Sequence, residues 1–504
     1  MTTQYLSILD SHGKQIPLSA VSGVFEGAAT GRRMGMWGTS NIGPNSAIFN
    51  SLGTLRSRSR EMIRNNPLVD GGTDSYVSDI IGSGINPRWQ IDDPVLKKDI
   101  HDLWDDFVLK SDFSGQSSFY GQQSLVARGM IDAGEILARK VPRRMEEGLP
   151  VPLQIQLLEA DHLDEVYNTI TDNGNEVRMG IEIDADGRRQ AYWLWPEHPG
   201  EAFIMRRNLG ERIRIPADKI NHVYRPLRAG QMRGRPWLSS IIIKLHDLDR
   251  YDDAELVRKK VAAMYGGFIK QQTVAMDPSS FFGKKDADKD EIGQDVIALE
   301  PGTFPVLPPG MDVQFSQPTD VGGSYEVWIK QQLRQIAKGM GITYEQLTGD
   351  LSGVNYSSIR AGLLQFRRRV QQIQFETIIF QFCQPVAEAF LDAAVGAGIL
   401  KITDYYRNRR RYLRIKWRPD GWAWVDPEKD LNAEETAVRA GFKSRSQVVA
   451  ERGGDVETVD REIAEDNTRA DQLGLVYDTD PRKVGKTAAD SATKKAAEQA
   501  PQTA

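Results

Sequence analysis

Residues 341–362 read GITYEQLTGDLSGVNYSSIRAG, a glycine-broken connector between two stretches of helical periodicity. Upstream of it, over Tyr325 to Gly341, Trp328, Ile329, Leu333, Ile336, Ala337 and Met340 recur at helical spacing, while Lys330, Arg334 and Lys338 fall four apart on another face. One side of that helix is suited to packing and another carries positive charge. Downstream, Ile359, Leu363, Phe366, Val370, Ile373, Thr377 and Phe380 repeat in steps of four and three. That spacing predicts a long helix with a continuous buried seam, ending near Pro385. Inside the connector, Gly349, Asp350, Ser352, Gly353 and Asn355 oppose regular structure and allow close backbone approach. The segment reads as one to be positioned, with no chemistry of its own.

At 504 residues the chain is long enough for about two to four packed units with their own cores. Its single cysteine, Cys383, lies beside the seam, where a buried inert thiol is expected in preference to a nucleophile, and a reducing compartment fits. The opening MTTQYLSILDSHGKQIPLS lacks a long apolar core, and no run approaches the roughly 18 uninterrupted apolar residues of a membrane span. A soluble protein without membrane partners is the expectation. Net charge −5 and a pI of about 5.9 argue against tight wrapping of nucleic acid, leaving room only for weak or transient DNA contact. Basic residues nevertheless cluster late, at Arg367 to Arg369 and then Arg407, Arg409, Arg410, Arg411, Arg414, Lys416 and Arg418. A solvated face or a subunit contact is favoured there over direct phosphate contact.

Along the chain, residues 1–55 are rich in Gly, Ser, Asn and Thr and predict a mobile arm. Helices are predicted over Arg56 to Asn65, Leu68 to Ile81, Pro94 to Lys110 and Phe119 to Met130, followed by strands over Ile136 to Lys140, Leu153 to Leu158 and Arg178 to Ile183. Asp186-Gly187 before the alternating Ala191, Trp193, Trp195 is a hairpin signal. Helices followed by hairpins imply an α+β body, not alternating βαβ units. Pro236 opens a helical run to about Met264 with a seam through Leu245, Leu248, Ala254 and Val257. A short strand at Phe268 to Lys270, a charged loop at 279–293 and a proline-rich strand pair at Val296 to Phe315 then make a small β unit between the two helices 237–264 and 325–341. Residues 386–425 mix helix and strand, Tyr412 to Trp417 being one strand; 433–470 add short helices, and 478–504 read as a low-complexity tail.

Catalytic constellations are thin. Gly485-Lys486-Thr487 lacks the earlier glycine of a phosphate-binding loop, so any ATP-burning motor belongs to another protein. The histidines His12, His101, His162, His198, His222 and His246 are never paired at metal-ligand spacing, and no metal or cofactor is expected. Asp161-His162 with Asp164 reads as a loop or cap after the strand LQIQLLEA, with no nucleophile beside it. Asp92 and Asp93, and Asp102, Asp105 and Asp106, read as solvated carboxylates in preference to a two-metal nuclease site. For the stripe Lys330, Arg334 and Lys338, pairing with acids of a neighbouring subunit's helix 237–264 is favoured over sliding phosphate contacts. Trp417, Trp422 and Trp424 are assigned to packing in preference to base stacking.

The order of IAKGMGITYEQLTGD, the SGVNYSSIRAGLL step and the basic run after it resembles the portal proteins of tailed bacteriophages, lambda-like family. RNNPLVDGGTDSYVSDIIGSGINPRW (64–89), LEADHLD (158–164), GIEIDADGRRQAYWLWPEHPG (180–200) and HVYRPLRAGQMRGRPWLSSII (222–242) extend the resemblance in the same order, over roughly residues 60–475. It implies an α+β multidomain subunit: a wing over 56–236 and 357–425, a stem from helices 237–264 and 325–342, a clip over 265–324, a tunnel loop over 343–356 and a C-terminal helical segment over 426–477. Loop residues Glu345, Thr348, Asp350, Ser352, Asn355 and Tyr356 would face the channel, and Ile359, Leu363, Phe366, Val370 and Ile373 would form the seam or a subunit contact. The resemblance further implies a non-enzymatic ring, dodecameric in the particle, at one vertex of the virion and assembled in the bacterial cytoplasm. Double-stranded DNA, held weakly and without sequence preference, would pass through it; its partners would be the terminase motor, head-completion or adaptor proteins, and the major capsid and scaffold proteins. A metal-dependent nuclease and a ring-shaped tail or adaptor component without DNA contact are the alternatives.

Overall fold

The structure, a computed structural model, describes residues 38, 40–202, 211–263, 267–271, 311–315, 324–353, 355–422, 427–475 and 477. Of the expected arm 1–55, the part before residue 38 lies outside the described residues, as do the loop 279–293, most of the unit 265–324, Trp424 and the tail 478–504, whereas residues 44–49 and 52–55 are helical.

The helical layer comes first: α1 (Pro44–Phe49), α2 (Leu52–Asn65) and α3 (Pro67–Ile81), then α4 (Pro94–Lys110) and α5 (Phe119–Asp132). Its boundaries follow local chemistry. Asn66 accepts from the amides of Leu68 and Val69 at the head of α3, and Asp93 does the same for Val95 and Leu96 at α4, each just before a proline that needs no amide partner. Strand β1 (Asn86–Trp89) lies between α3 and α4. After α5, β2 (Glu135–Pro142), β3 (Leu153–Glu159) and β9 (Ile220–Tyr224) form an antiparallel sheet in the order β3-β2-β9. Inserted between β3 and β9 is an antiparallel meander, β4 (Thr169–Ile170), β5 (Glu176–Arg178), β6 (Ile181–Ile183), β7 (Arg189–Leu194) and β8 (Ile213–Pro216). The body is α+β, as the sequence pattern predicts.

Arg178 to Ile183 is not one strand. Met179 and Gly180 both take positive φ, 49° and 80°, so the chain reverses there and β5 pairs with β6. The glycine is the residue suited to that turn; Met179 is held in it by its amide N–H, which donates to Asn168 Oδ1 at 2.9 Å. The Asp186-Gly187 hairpin forms, with Gly187 at φ 80°.

Strand β2 separates two cores. Ile136 and Ala138 face the helical layer, while Leu137 points to a smaller cluster of Leu163, Ile181, Tyr192, Leu194 and Ile215. Inside the larger core Trp104 packs edge-on against Phe119 and Phe390 with ring centroids 5.1 and 5.0 Å apart, and Phe119 stacks on Phe382. Burying each such ring contributes about 1.5–3 kcal/mol, and the geometry adds to it.

From the body run α6 (Ile242–Ala263), preceded by a short 3₁₀ turn over Trp237–Ser240, and α7 (Ser324–Met340), with β10 (Gly267–Gln271) and β11 (Met311–Phe315) paired between them. The expected seam on α6 holds only near the body: Leu245 and Leu248 are buried, whereas Val257 is 57% exposed and Ala254 is exposed too. Beyond its first turns, α6 packs among the described residues on α7, through Tyr251 against Trp328 and Tyr325, and most of its other residues there are exposed.

A one-turn helix α8 (Tyr344–Thr348) follows, then α9 (Tyr356–Ile373), a π-helical stretch Gln374–Cys383 and α10 (Gln384–Gly396) in one continuous rod. Pro385 does not end it; the proline directly follows the π-helical stretch, whose wider turn lies where a proline would otherwise break an α-helix. The π-helix also corrects the seam. Phe366, Val370 and Ile373 are buried as read, but Phe380 is 71% exposed and its place is taken by Ile378 and Phe382, both fully buried. Each π turn consumes about one more residue than an α turn, which rotates the buried face forward by one position. Ile359 and Leu363, nearer the start, are only half-buried. By length and composition Ser358–Gly396 would be capable of crossing a membrane, yet half of its apolar window is buried inside the protein. Cys383 is fully buried, and burial pushes its thiol pKa upward, away from nucleophile chemistry.

The chain closes with α11 (Tyr405–Tyr412), β12 (Ile415–Arg418) paired to β1, and α12 (Pro427–Arg439), α13 (Arg445–Glu451) and α14 (Val456–Leu473). Tyr412 therefore ends a helix, and the strand expected from it begins three residues later. Three of the late arginines are paired within the chain: Arg409 to Asp392 at 2.7 Å, Arg411 to Asp92 at 2.8 Å and Arg418 to Asp455 at 3.0 Å.

Candidate functional site

The first half of the 343–356 connector is ordered by its own hydrogen bonds. Thr343 accepts from the Gln346 amide while the Gln346 side chain accepts from the Thr343 amide, a reciprocal cap that winds α8. Leu347 is 5% exposed, and a Cβ added at Gly72 of α3 would lie 3.1 Å from its methyl, so the absence of a side chain at residue 72 gives the turn a close seat on α3. Gln346 donates to Asp79 of the same helix at 3.1 Å. Glu345 and Thr348 are thus half-buried members of a bound turn, not parts of an open loop.

Gly349, at φ 69°, ends α8 and turns the chain outward. Beyond it Leu351 is 63% exposed, and Ser352, Gly353 and Asn355 are exposed. Asp350 organises this tip: it accepts from the Ser352 hydroxyl at 2.6 Å, the Ser352 amide at 3.0 Å and the Tyr344 hydroxyl at 3.2 Å. Those bonds, the Ser352 hydroxyl first, hold its carboxyl below the usual range. Asn355 caps α9 by accepting from the Ser358 amide at 2.9 Å. Tyr356 begins α9, and its side chain lies outside the described residues.

The basic stripe on α7 borders this tip. Lys330 pairs with Glu326 at 2.7 Å and lies 3.9 Å from Asp350, and its bond to Glu326 raises its pKa. Arg334 sits over the Tyr344 ring at 5.5 Å, and Lys338 is exposed. Connector and stripe, adjacent in the sequence but assigned separate roles, form one polar surface.

Other expected groups go elsewhere. Asp161 is held by Arg56 and Arg60, and His162 Nδ1 meets the Trp195 carbonyl at 3.0 Å. Glu159, Asp161 and His198 do converge closely enough to ligate a cation, but Arg60 already lies 2.6 Å from Glu159 and 2.7 Å from Asp161. Asp93 is a helix cap. Trp417 is buried and donates to Gln384, while Trp422 underlies the Arg367 guanidinium at 5.1 Å.

Two features escape a linear reading because their members lie far apart in sequence. One is a buried ionic centre: Glu135 accepts from Arg233 Nε at 2.8 Å, from the Gly234 amide at 2.6 Å and from His222 Nε2 at 2.9 Å. Arg189 donates to His222 Nδ1 at 3.1 Å, and since arginine can only donate, His222 is neutral with its proton on Nε2. Burial, opposed by Glu135, lowers its pKa to about 4. The other is a group of arginines, Arg225, Arg235 and Arg369, around a small cleft at the end of α7.

Over residues 30–374 the chain matches the family described as phage portal protein, lambda family. It is 33% identical over 367 residues to the probable portal protein of Halomonas phage phiHAP-1, covering 72% of this chain and 68% of that one. To the portal protein of Escherichia phage N15 it is 20% identical over 484 residues, covering 86% and 87% of the two chains. Among solved structures, a chain from the virion of a native gene transfer agent particle aligns with a TM-score of 0.45 at 14% identity, covering 80% of this chain and 93% of that one.

Proposed function

The chain belongs to the lambda family of phage portal proteins, and on that premise we propose that its copies close a ring of twelve at one vertex of the phage head, through which double-stranded DNA is packaged and later ejected. Helices α6 and α7 serve as the stem, the segment 265–324 as the clip and the α+β body as the wing. The terminase motor docks on the clip, head-completion or adaptor proteins take its place when packaging ends, and capsid and scaffold proteins surround the wing. Assembly takes place in the host cytoplasm.

The observation that carries this reading is the family match across 30–374, which takes in both stem helices and the connector between α7 and α9. Physical chemistry supports it. Different faces on opposite sides of a subunit favour head-to-tail contacts that close into a ring. A net charge of −5 suits a conduit, because a wall that neutralised every phosphate would hold the DNA instead of passing it. The tip that exposes Leu351, Ser352 and Gly353, anchored by α8 on one side and the Asn355 cap on the other, is short enough to shift without loosening the body.

Electron-microscopic class averages of purified protein are expected to show a rotationally symmetric ring with a central hole; a stable lone monomer under all assembly conditions would refute the proposal. Deleting Leu351 to Val354, which spares the buried Leu347, should leave rings intact and impair DNA packaging or retention. Normal packaging by the deletion ring would remove the tip from the conduit.

A further inference from the structure

Arg225, Arg235 and Arg369 converge on a cleft of ≈ 80 Å³ that also takes in Ser240, Gly339 and Met340. Among the described residues none of the three guanidinium groups is paired with a carboxylate, and Arg369 Nε is buried without a hydrogen-bond partner. This sets them apart from Arg409, Arg411 and Arg418, each of which meets a carboxylate. The nearby acids are engaged elsewhere: Asp79 accepts from Gln346 and Glu376 from Gln372. Beside Arg369 and Arg225 lies the Tyr76 hydroxyl, on a side chain 1% exposed, which meets Arg369 but brings no negative charge to it. A half-buried cation with no counter-charge is unfavourable, and three together repel. The Arg225 pKa is accordingly depressed, by burial first and then by Arg369.

We propose that this cleft is an oxyanion site that takes one phosphate of the DNA backbone as the duplex passes the connector. The proposal rests on the portal reading above and names where a subunit touches its cargo. The volume holds about two or three waters, enough for a single tetrahedral oxyanion and too little for a base, so the contact carries no sequence information. Planar guanidinium forks match phosphate oxygens in pairs. The site's position favours DNA over a carboxylate from a neighbouring copy, because the cleft is walled by the last residues of α7, Gly339 and Met340. Arg369 also rests directly on Gly341, where any side chain would collide with its guanidinium. Gly341 leads into the connector, so an anion drawn onto Arg369 acts at the base of the loop assigned to the channel.

The test compares assembled wild-type rings with R225Q/R235Q/R369Q rings for binding of a short mixed-sequence duplex across a salt series. Each lost phosphate contact should flatten the log–log salt slope by about 0.9 and weaken binding about fivefold at about 0.15 M salt, per engaged subunit. If the triple variant does not assemble, R235Q alone, at an exposed arginine, should give a smaller fall in the same direction. An unchanged slope in the variants, with wild-type rings binding duplex, would overturn the cleft assignment and leave the portal reading standing. Loss of ring assembly with an unchanged slope in the R235Q rings would assign the cleft to a neighbouring copy's carboxylate and overturn the proposal. Wild-type rings that bind no duplex would overturn the conduit reading and this site together.

Discussion

Replacing Glu135 with glutamine tests how the wing is held together. Glu135 and Arg233 are both fully buried, and the carboxylate also faces His222 and the Gly234 amide. Glutamine keeps the shape and can still accept from Gly234, but its NH2 then faces the Arg233 guanidinium, so Arg233 loses both its counter-charge and an acceptor. Arg233 retains neutral acceptors, the Met179 carbonyl at 3.0 Å among them, but no other carboxylate. Arg56, 3.5 Å from Glu135, keeps Asp161 and Glu165 and contributes little to the change. Removing one partner of a buried ion pair costs about 3–5 kcal/mol, a fall of two to four decades in the local folding equilibrium. Urea titration of the full chain, with hydrogen exchange followed over β2, β7 and β9, should show destabilisation confined at first to the small sheet and its junction with β2. The double variant E135L/R233M, apolar on both sides, should recover most of the loss, since no buried charge then remains. A loss below about 1 kcal/mol for E135Q, or a double variant worse than the single, would refute the view that this centre joins the two β layers through charge.

Stability should also fall in mild acid. His222 and His101 both have pKa values lowered from 6.5 to about 4, chiefly by burial. The unfolded chain therefore binds more protons between those values: the stabilisation is full above pH 6.5 and drains as pH falls towards 4, by about 1.4 kcal/mol per pH unit for each histidine. Urea midpoints that match at pH 7 and pH 5 would contradict the neutral, buried assignment. The π-helical register can be checked with a pair of truncations on unassembled chain. Phe382→Ala should cost about 3–5 kcal/mol, whereas Phe380→Ala, on the exposed side, should stay within about 0.5 kcal/mol; equal losses would restore the uninterrupted α-helical seam.

Much of the secondary structure was legible because it depends on local chemistry. Asn66 and Asp93 ahead of prolines, glycine at 187 and the four-three apolar step from Phe366 to Ile373 announce their helix starts, turn and buried face within a few residues. The connector was legible as a place where regular structure weakens, and Gly349, Asp350 and Asn355 behave that way. It was not legible that Thr343 and Gln346 would wind a helical turn there and seat Leu347 against Gly72, because that turn is stabilised by α3, some 270 residues earlier. Phe380 misled for a related reason: a period of 3.6 was extrapolated through a stretch whose packing against β9 and α5 accompanies a wider turn.

By itself the amino-acid order determined the α+β class, the pair of helices around an inserted β unit, the basic stripe and the family, all of which rest on neighbouring residues or on ordered motifs. Only the tertiary structure decided which charges are satisfied. Whether an arginine finds a carboxylate depends on partners brought together across tens to hundreds of residues: Arg233 finds Glu135, whereas Arg225, Arg235 and Arg369 meet none among the described residues. Electrostatic energy depends on distance in space and on the exclusion of water, and neither quantity is written along the chain.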